Sequence, residues 1–330
     1  AGYKRQGRVQ ARSIHRTYGS PSLFVTLSSP EHHDIQTMLH IRRRLCLYSD
    51  PMRDAHESVK ASSQEVCRIP ASERRKLCRM YPSEVAQAFT IRLRAFLHCV
   101  KLGMLGKYIA GFIEIEYQQR GAQHAHMLLW TEPLTELLFC NTEIRQADQA
   151  RIIQIAEFLV SNSTYHGNIE RFMADKAEER IGLWGEGSFK KADVHPSYRN
   201  PVHETEEAWE NDLYELTHSL QMHRCTTSYC LKRKGSASEN SCRFGFPKQL
   251  ENSSAFIDVK ESGKPDRTVL KIKRGNSVVN SYSPTVLCIW RGNMDISIVT
   301  SPFAAIAYLC KYVTKNETTN HEALLRYSSQ

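Results

Sequence analysis

The clearest pattern in the chain is an alternation of apolar and polar positions between Ile109 and Trp130, interrupted once. Ile109 to Tyr117 is rich in β-branched and aromatic residues, with Glu114 and Glu116 at alternate positions. Gln118, Gln119, Arg120 and Gly121 form a polar break, and His124 to Trp130 is apolar apart from His124 and His126. A period of two on both sides of a short polar break predicts a β-hairpin. Residues two apart on a strand face the same way, so the two histidines share a face and so do the two glutamates. A hairpin centred on Arg120 puts Glu116 opposite His124 and Glu114 opposite His126. A slip of one residue would send the glutamates to the other face. In the first register two imidazoles and a carboxylate converge on one small volume. That is a ligand set for a divalent cation with an open coordination position, the arrangement of catalytic rather than structural sites. The alternative is a hairpin with hydrogen-bonded histidines and solvated glutamates.

Other elements follow from the same patterning. Leu23 to Ser28 reads as a strand leaving the turn Gly19 to Ser22. Ser83 to Val100 reads as a helix, with Ser83 as N-cap and apolar residues at Phe89, Leu93, Phe96 and Leu97. Thr142 to Leu159 is a second amphipathic helix, and a third runs from an N-cap at Thr205 to about Met222. Residues 163–204 are rich in glycine, proline and polar side chains and read as an irregular insertion. Between 255 and 299 the runs AFIDVK, TVLKIKR, TVLCIW and MDISIV read as short strands.

Composition narrows the function. The chain carries a net charge of +9, which favours a polyanionic partner. Arg8, Arg12 and Arg16 recur at intervals of four in the basic segment 1–18, either tracking phosphates or simply solvated. No apolar run is long enough to span a membrane. The basic start is not a secretory signal, and the chain reads as a piece of something longer. Ten cysteines without such a signal point to a reducing compartment. Most of them read as ordinary buried thiols.

Four ligand-type residues stand apart. His223, Cys225, Cys230 and Cys242 follow the spacing H-x-C-x4-C-x11-C. Three thiolates and an imidazole suit tetrahedral zinc, with His218 as a competing ligand. Near the end of the sequence, Ser301 and Pro302 begin a helical pattern. Phe303, Ile306, Leu309, Cys310 and Val313 fall in one apolar sector, while Tyr308, Tyr312 and Lys315 fall on the opposite side. Core tyrosines would share the apolar sector. Tyr308 and Tyr312 lie one turn apart and could reach the same phosphate. A phenol with a pKa near 10 is a weak nucleophile at neutral pH and needs an activated target.

These motifs together resemble a known family. His124-Ala125-His126 resembles the histidine–hydrophobe–histidine signature of HUH endonucleases, and FVTLS resembles the strand that lies beside it. The string from Glu116 to Trp130, CRFGFPK at Cys242 to Lys248, and YLCKYVTK at Tyr308 to Lys315 are similar to the replication-initiator domain of Helitron transposases. The resemblance implies an α+β HUH endonuclease fold, with a central antiparallel sheet flanked by helices and an appended zinc knuckle. It implies Mg²⁺ or Mn²⁺ at Glu116, His124 and His126, and zinc at His223, Cys225, Cys230 and Cys242. It also implies nucleophilic Tyr308 and Tyr312 assisted by Lys315, single-stranded DNA at transposon ends as substrate, and a 5′-phosphotyrosine intermediate. A helicase elsewhere in the full-length protein and a nuclear location are implied as well. No phosphate-binding G-x-x-x-x-G-K-[ST] motif occurs in this chain. The expected organisation is a basic arm (1–18), the first half of the nuclease domain (19–162), an insertion and helix (163–222), the zinc knuckle (223–247), and the second half of the nuclease domain (248–330). Two other readings stay open: a DNA-binding module that has lost cleavage, and a metal-dependent phosphodiesterase that uses water.

Overall fold

A computed structural model describes residues 2–49, 69–117, 123–139, 146–164, 197, 205–226, 230, 242–259 and 267–300. Its centre is a four-stranded antiparallel sheet: β1 (Leu23–Ser28), β2 (Lys107–Tyr117), β3 (Gln123–Glu132) and β6 (Met294–Ile298), in the order β2-β3-β1-β6. A separate hairpin pairs β4 (Ala255–Val259) with β5 (Arg267–Lys271). Mixed helix and antiparallel sheet agrees with the coarse architecture that the resemblance implies.

The sheet has two unlike faces, and the alternation along β3 shows why. Ala125, Met127 and Leu129 point into the main core with Leu23, Val25 and Leu27 of β1. Phe89, Leu93 and Phe96 of the long helix Pro82–Lys101 cover that face, with Trp290 packed edge-on against both phenylalanines. Leu128 and Trp130 lie on the opposite face and join a smaller cluster with Phe112, Val299 and Ala11. Ala11 belongs to α1 (Gly2–Tyr18), so the basic segment forms a helix that seals one end of the second face. His124 and His126 continue the same face toward the hairpin turn.

Several boundaries differ from the sequence reading. The helix read as Ser83–Val100 starts one residue earlier, with Pro82 in its first turn and Tyr81 as the N-cap; the Ser83 hydroxyl instead donates to Glu84. The run TVLCIW, read as a strand, is a helix, Pro284–Trp290. Its Val, Ile and Trp favour strands locally, but proline in the first turn suits a helix, and Val286, Leu287 and Trp290 are buried together only on a helical repeat. Thr205 caps its helix as expected, accepting from the Ala208 amide.

The end of the Pro284–Trp290 helix is clamped to β1. Arg291 takes the left-handed conformation (φ 52°) and Gly292 follows it. A Cβ on Gly292 would lie 2.7 Å from the Ser28 carbonyl oxygen, so only glycine fits this approach. The Trp290 indole donates to the same carbonyl at 2.8 Å, and the Ser28 amide donates to the Asn293 carbonyl. Arg92 of the long helix donates to the Trp290 carbonyl and pairs with Asp34 at 2.8 Å. Arg291 makes a two-pronged, buried pair with Asp212 at 2.7 and 2.8 Å. Removing one member would strand a buried charge.

Candidate functional site

The hairpin register is Glu116 opposite His124 and Glu114 opposite His126. Strand β1 lies on the other side of β3, with Thr26 opposite His126 and Ser28 opposite His124. These pairs share one face, so each imidazole has a carboxylate neighbour on one strand and a hydroxyl neighbour on the other. The Ser28 hydroxyl lies 2.9 Å from His124 Nδ1, and the Thr26 hydroxyl lies 3.1 Å from His126 Nδ1. The two rings are nearly parallel at 6.4 Å, and Phe24 stacks on His126 at 6.3 Å. Side chains tied at Nδ1 present Nε2 outward, the orientation that hydrogen-bonded partners give to metal-binding histidines.

The geometry poses an electrostatic question. His126 Nε2 lies 3.2 Å from Glu116 Oε2. If His126 donates from Nδ1 to Thr26, its Nε2 and the carboxylate are both acceptors. A proton on Nε2 or a cation must then lie between them. If Thr26 donates instead, the neutral imidazole carries its one proton on Nε2, donates it to Glu116, and needs neither a second proton nor a cation. Burial, and then the neighbouring His126, push the His124 pKa down to about 4 against a smaller opposing pull from Glu116. His124 is therefore a neutral imidazole at physiological pH, the form that binds metals. The donor set of two imidazoles and one carboxylate fits a small divalent cation that keeps open positions.

Thr26 and Ser28 were not singled out from the sequence. A signal existed, because both are polar residues at alternate positions of an otherwise apolar strand, on the parity that faces the histidines.

His223, Cys225, Cys230 and Cys242 form the second cluster, their ligand atoms all within 4.8 Å of one another. His223 Nε2 lies 3.3 Å from both Cys225 Sγ and Cys242 Sγ. The cluster could hold a metal ion such as zinc. Burial and then Lys248 lower the His223 pKa, favouring the neutral ligand form. Burial opposes a thiolate at Cys242, but backbone hydrogen bonds from Phe244 and Phe246 together with side-chain hydrogen bonds from Cys225 and Cys230 lower its pKa. His218 takes no part: its Nδ1 lies 2.9 Å from the Tyr214 carbonyl oxygen and its ring packs on that phenol. The Phe246 ring stacks on His223 at 4.3 Å. The cluster is also sewn to the body of the fold, since the amides of His223 and Lys248 donate to the carbonyls of Val278 and Ser277. Cys78 and Cys288 are ordinary half-buried thiols, their pKa pushed up to about 12 mainly by desolvation. Tyr308, Tyr312 and Lys315 lie outside the described residues, as does the basic run Lys232-Arg233-Lys234.

The chain is thus an α+β protein with a histidine-bearing sheet face and a separate Cys/His cluster, and none of its described helices is long and apolar enough to cross a membrane. Residues 1–129 match the family model of the Helitron helicase-like domain at the N-terminus. The matched span includes β1, β2 and the histidine pair. No curated protein and no solved structure matches the chain.

Proposed function

We propose that this chain is an HUH-type, metal-dependent single-stranded DNA endonuclease and strand transferase that acts in rolling-circle transposition of a Helitron-type element. The carrying observation is the convergence of Glu116, His124 and His126 on one sheet face, with both Nδ1 atoms held by β1 hydroxyls, within the span matched to the Helitron domain. Glu116, His124 and His126 would hold Mg²⁺ or Mn²⁺, and His223, Cys225, Cys230 and Cys242 would hold zinc. A divalent cation at the first site supplies Lewis-acid polarisation of a phosphate oxygen.

The nucleophile in this reading is Tyr308 or Tyr312. Its phenolic oxygen attacks phosphorus, the bond from phosphorus to the 3′ oxygen breaks, and that oxygen takes up a proton to leave as a 3′-OH. The product is a 5′-phosphotyrosine. Because the phosphodiester energy is retained, a 3′-OH on another strand can reverse the step without an external energy source. Two tyrosines one turn apart allow one to cut while the other holds an end already cut. Lys315 would stabilise the phenolate. The family match supports a helicase in the full-length protein; transposon ends as the DNA and a nuclear site of action are part of the proposal and follow from the Helitron resemblance.

The deciding experiment is cleavage of a labelled single-stranded oligonucleotide, read on a denaturing gel before and after protease digestion. We expect protein attached to the 5′ end with the wild-type chain and with at least one of Tyr308→Phe and Tyr312→Phe, and none with the double variant. Cleavage that survives in the double variant would assign the nucleophile to water and overturn the transferase reading.

A further inference from the structure

Strand β6 forms one edge of the sheet, and a cavity of about 340 Å³ runs along it toward the β4–β5 hairpin. Lys248, Gln249, Lys271, Arg274, Ser281 and Ser297 contribute to its walls. The three cations in this wall differ in how their charge is met. Lys271 pairs with Glu251 at 2.9 Å. Arg274 is spent on neutral acceptors: the Val279 carbonyl at 2.7 Å, the Asn276 carbonyl at 3.2 Å and the Asn162 side chain at 2.7 Å. Lys248 sits 4.8 Å above the Phe246 ring, and among the described residues no carboxylate comes within ion-pair distance of it. Among the described residues neither the half-buried Lys248 ammonium nor the buried Arg274 guanidinium has an ion pair; Asp295 acts on both at longer range, and with Glu251 of the wall spent on Lys271 the cavity keeps a net positive charge.

The cavity adjoins the histidine face. Thr26 of β1 pairs with His126 on one side and with Asp295 of β6 on the other. Directly paired residues share a face, so Asp295 stands in the same row as His126, two strand spacings or about 10 Å away. Asp295 also interacts electrostatically with Lys248 and Arg274. A strand lying on the histidine face would reach this edge next. The turn that carries Lys248 also presents Phe244, 43% exposed, with the Arg243 guanidinium 4.5 Å above its ring. Cations beside an exposed aromatic ring suit a chain of phosphates and bases better than an acidic peptide.

We infer that this groove binds a backbone phosphate of the single-stranded DNA, with Lys248 as the principal contact, and so leads the strand off the histidine face past the Cys/His cluster. The inference rests on the nuclease reading above and assigns its strand path. On this view the turn after Cys242 has two duties: it closes the metal cluster and it carries the phosphate-binding lysine.

The test is equilibrium binding of fluorescein-labelled oligo(dT), about 20 nucleotides long, to the full chain across a salt series without added divalent cation. Lys248→Gln should weaken binding about five- to tenfold and reduce the slope of log K against log salt by about 0.7, the value for one phosphate contact on a single strand. Lys248→Arg should retain both. Gln249→Glu places a carboxylate in the exposed wall and should weaken binding at least as much. If Lys248→Gln loses zinc, Gln249→Glu, which leaves the ligands and their turn unchanged, decides alone. Wild-type affinity and slope in Gln249→Glu, or in a zinc-loaded Lys248→Gln, would overturn the proposal. So would oligoglutamate competing as well as unlabelled oligo(dT) at equal charge, which would assign the groove to acidic protein segments. Binding does not require cleavage, so Lys248-dependent binding by a chain that never nicks DNA would sink the nuclease reading and leave the groove standing.

Discussion

Glu116, His124 and His126 sit on strands held from both sides, whereas His223, Cys225, Cys230 and Cys242 sit on turns and connecting segments with no strand among them. The first set gains its shape from the sheet. Backbone ladders fix the register, and hydroxyls from a neighbouring strand aim the rings. Its donors are few and mixed, leaving room for a substrate oxygen. The second set brings four soft or borderline donors within 4.8 Å, enough to close a tetrahedron with no position left over. A site held by strands and a site on connecting segments that an ion could brace should respond differently to the same perturbation, and four experiments test that difference.

The largest effect should come from the histidine face. His124→Ala or His126→Ala should lower cation-dependent cleavage by roughly 10³-fold or more, since several kcal/mol of transition-state stabilisation is lost. Both variants should keep their fold and their zinc. Near wild-type cleavage in both would remove the cation from this face.

Cys242→Ser should act the other way round. Elemental analysis should give about one zinc per wild-type chain and little or none in the variant, because a structural metal couples binding to folding. The variant should melt earlier, and the segment around Phe244 and Phe246 should become protease-sensitive. A metal-free chain with unchanged melting would show that the thiols need no ion.

The β1 hydroxyls give a subtler test. Thr26→Val with Ser28→Ala should weaken affinity for Mn²⁺ by about 10- to 100-fold, the usual cost of losing partners that orient ligating histidines. Calorimetric titration would measure it. Unchanged affinity would mean that the rings are held by packing, Phe24 foremost, and not by the hydroxyls.

Acidification tests the histidine face through stability alone. The folded pKa of His124, about 4, lies below its ordinary value of 6.5. Between these values the unfolded chain binds the proton and the folded chain does not. Stability from this group is therefore complete above about pH 6.5 and falls as pH drops toward 4, by at most about 3 kcal/mol. Without added divalent cation, His124→Gln should show a flatter profile of melting temperature against pH than wild type. Parallel profiles would show that His124 is not held neutral by its surroundings.

How far each site can be read in advance follows from the range of the interactions that build it. The hairpin is local: period-two alternation and a polar break were enough to expect it and to offer Glu116 opposite His124 as one register, which the ladder then selects over a one-residue slip. The Cys/His spacing was equally visible, although only the fold removes His218 by turning it to the Tyr214 carbonyl. Other features depend on partners distant in sequence. Arg92 holding Trp290, Trp290 holding Ser28, and Arg274 bound to Asn162 each join residues from separate parts of the chain, and no periodicity marks them. The helix Pro284–Trp290 was misread for a related reason. Its side chains favour strands one by one, and burial against the long helix and the Asp212 helix decides the matter collectively. The tyrosine motif is legible in sequence and lies outside the described residues, so its place beside the histidines is a question for experiment.

The position of β6 has a consequence for how this protein is made. β1 pairs with β6 across a separation of some 270 residues, and β6 begins about 160 residues after β3 ends. At ribosomal rates of about 5–20 residues per second, β1, β2 and β3 would leave the ribosome roughly 10–30 s before the strand that covers β1. During that interval a row of backbone donors and acceptors on β1, beside Thr26 and Ser28, would stand open to pairing with another nascent chain. Expression that is slow or stalls in the intervening segment should therefore favour aggregation, and a fragment ending at Leu129 should be insoluble unless β6 is supplied as a separate peptide.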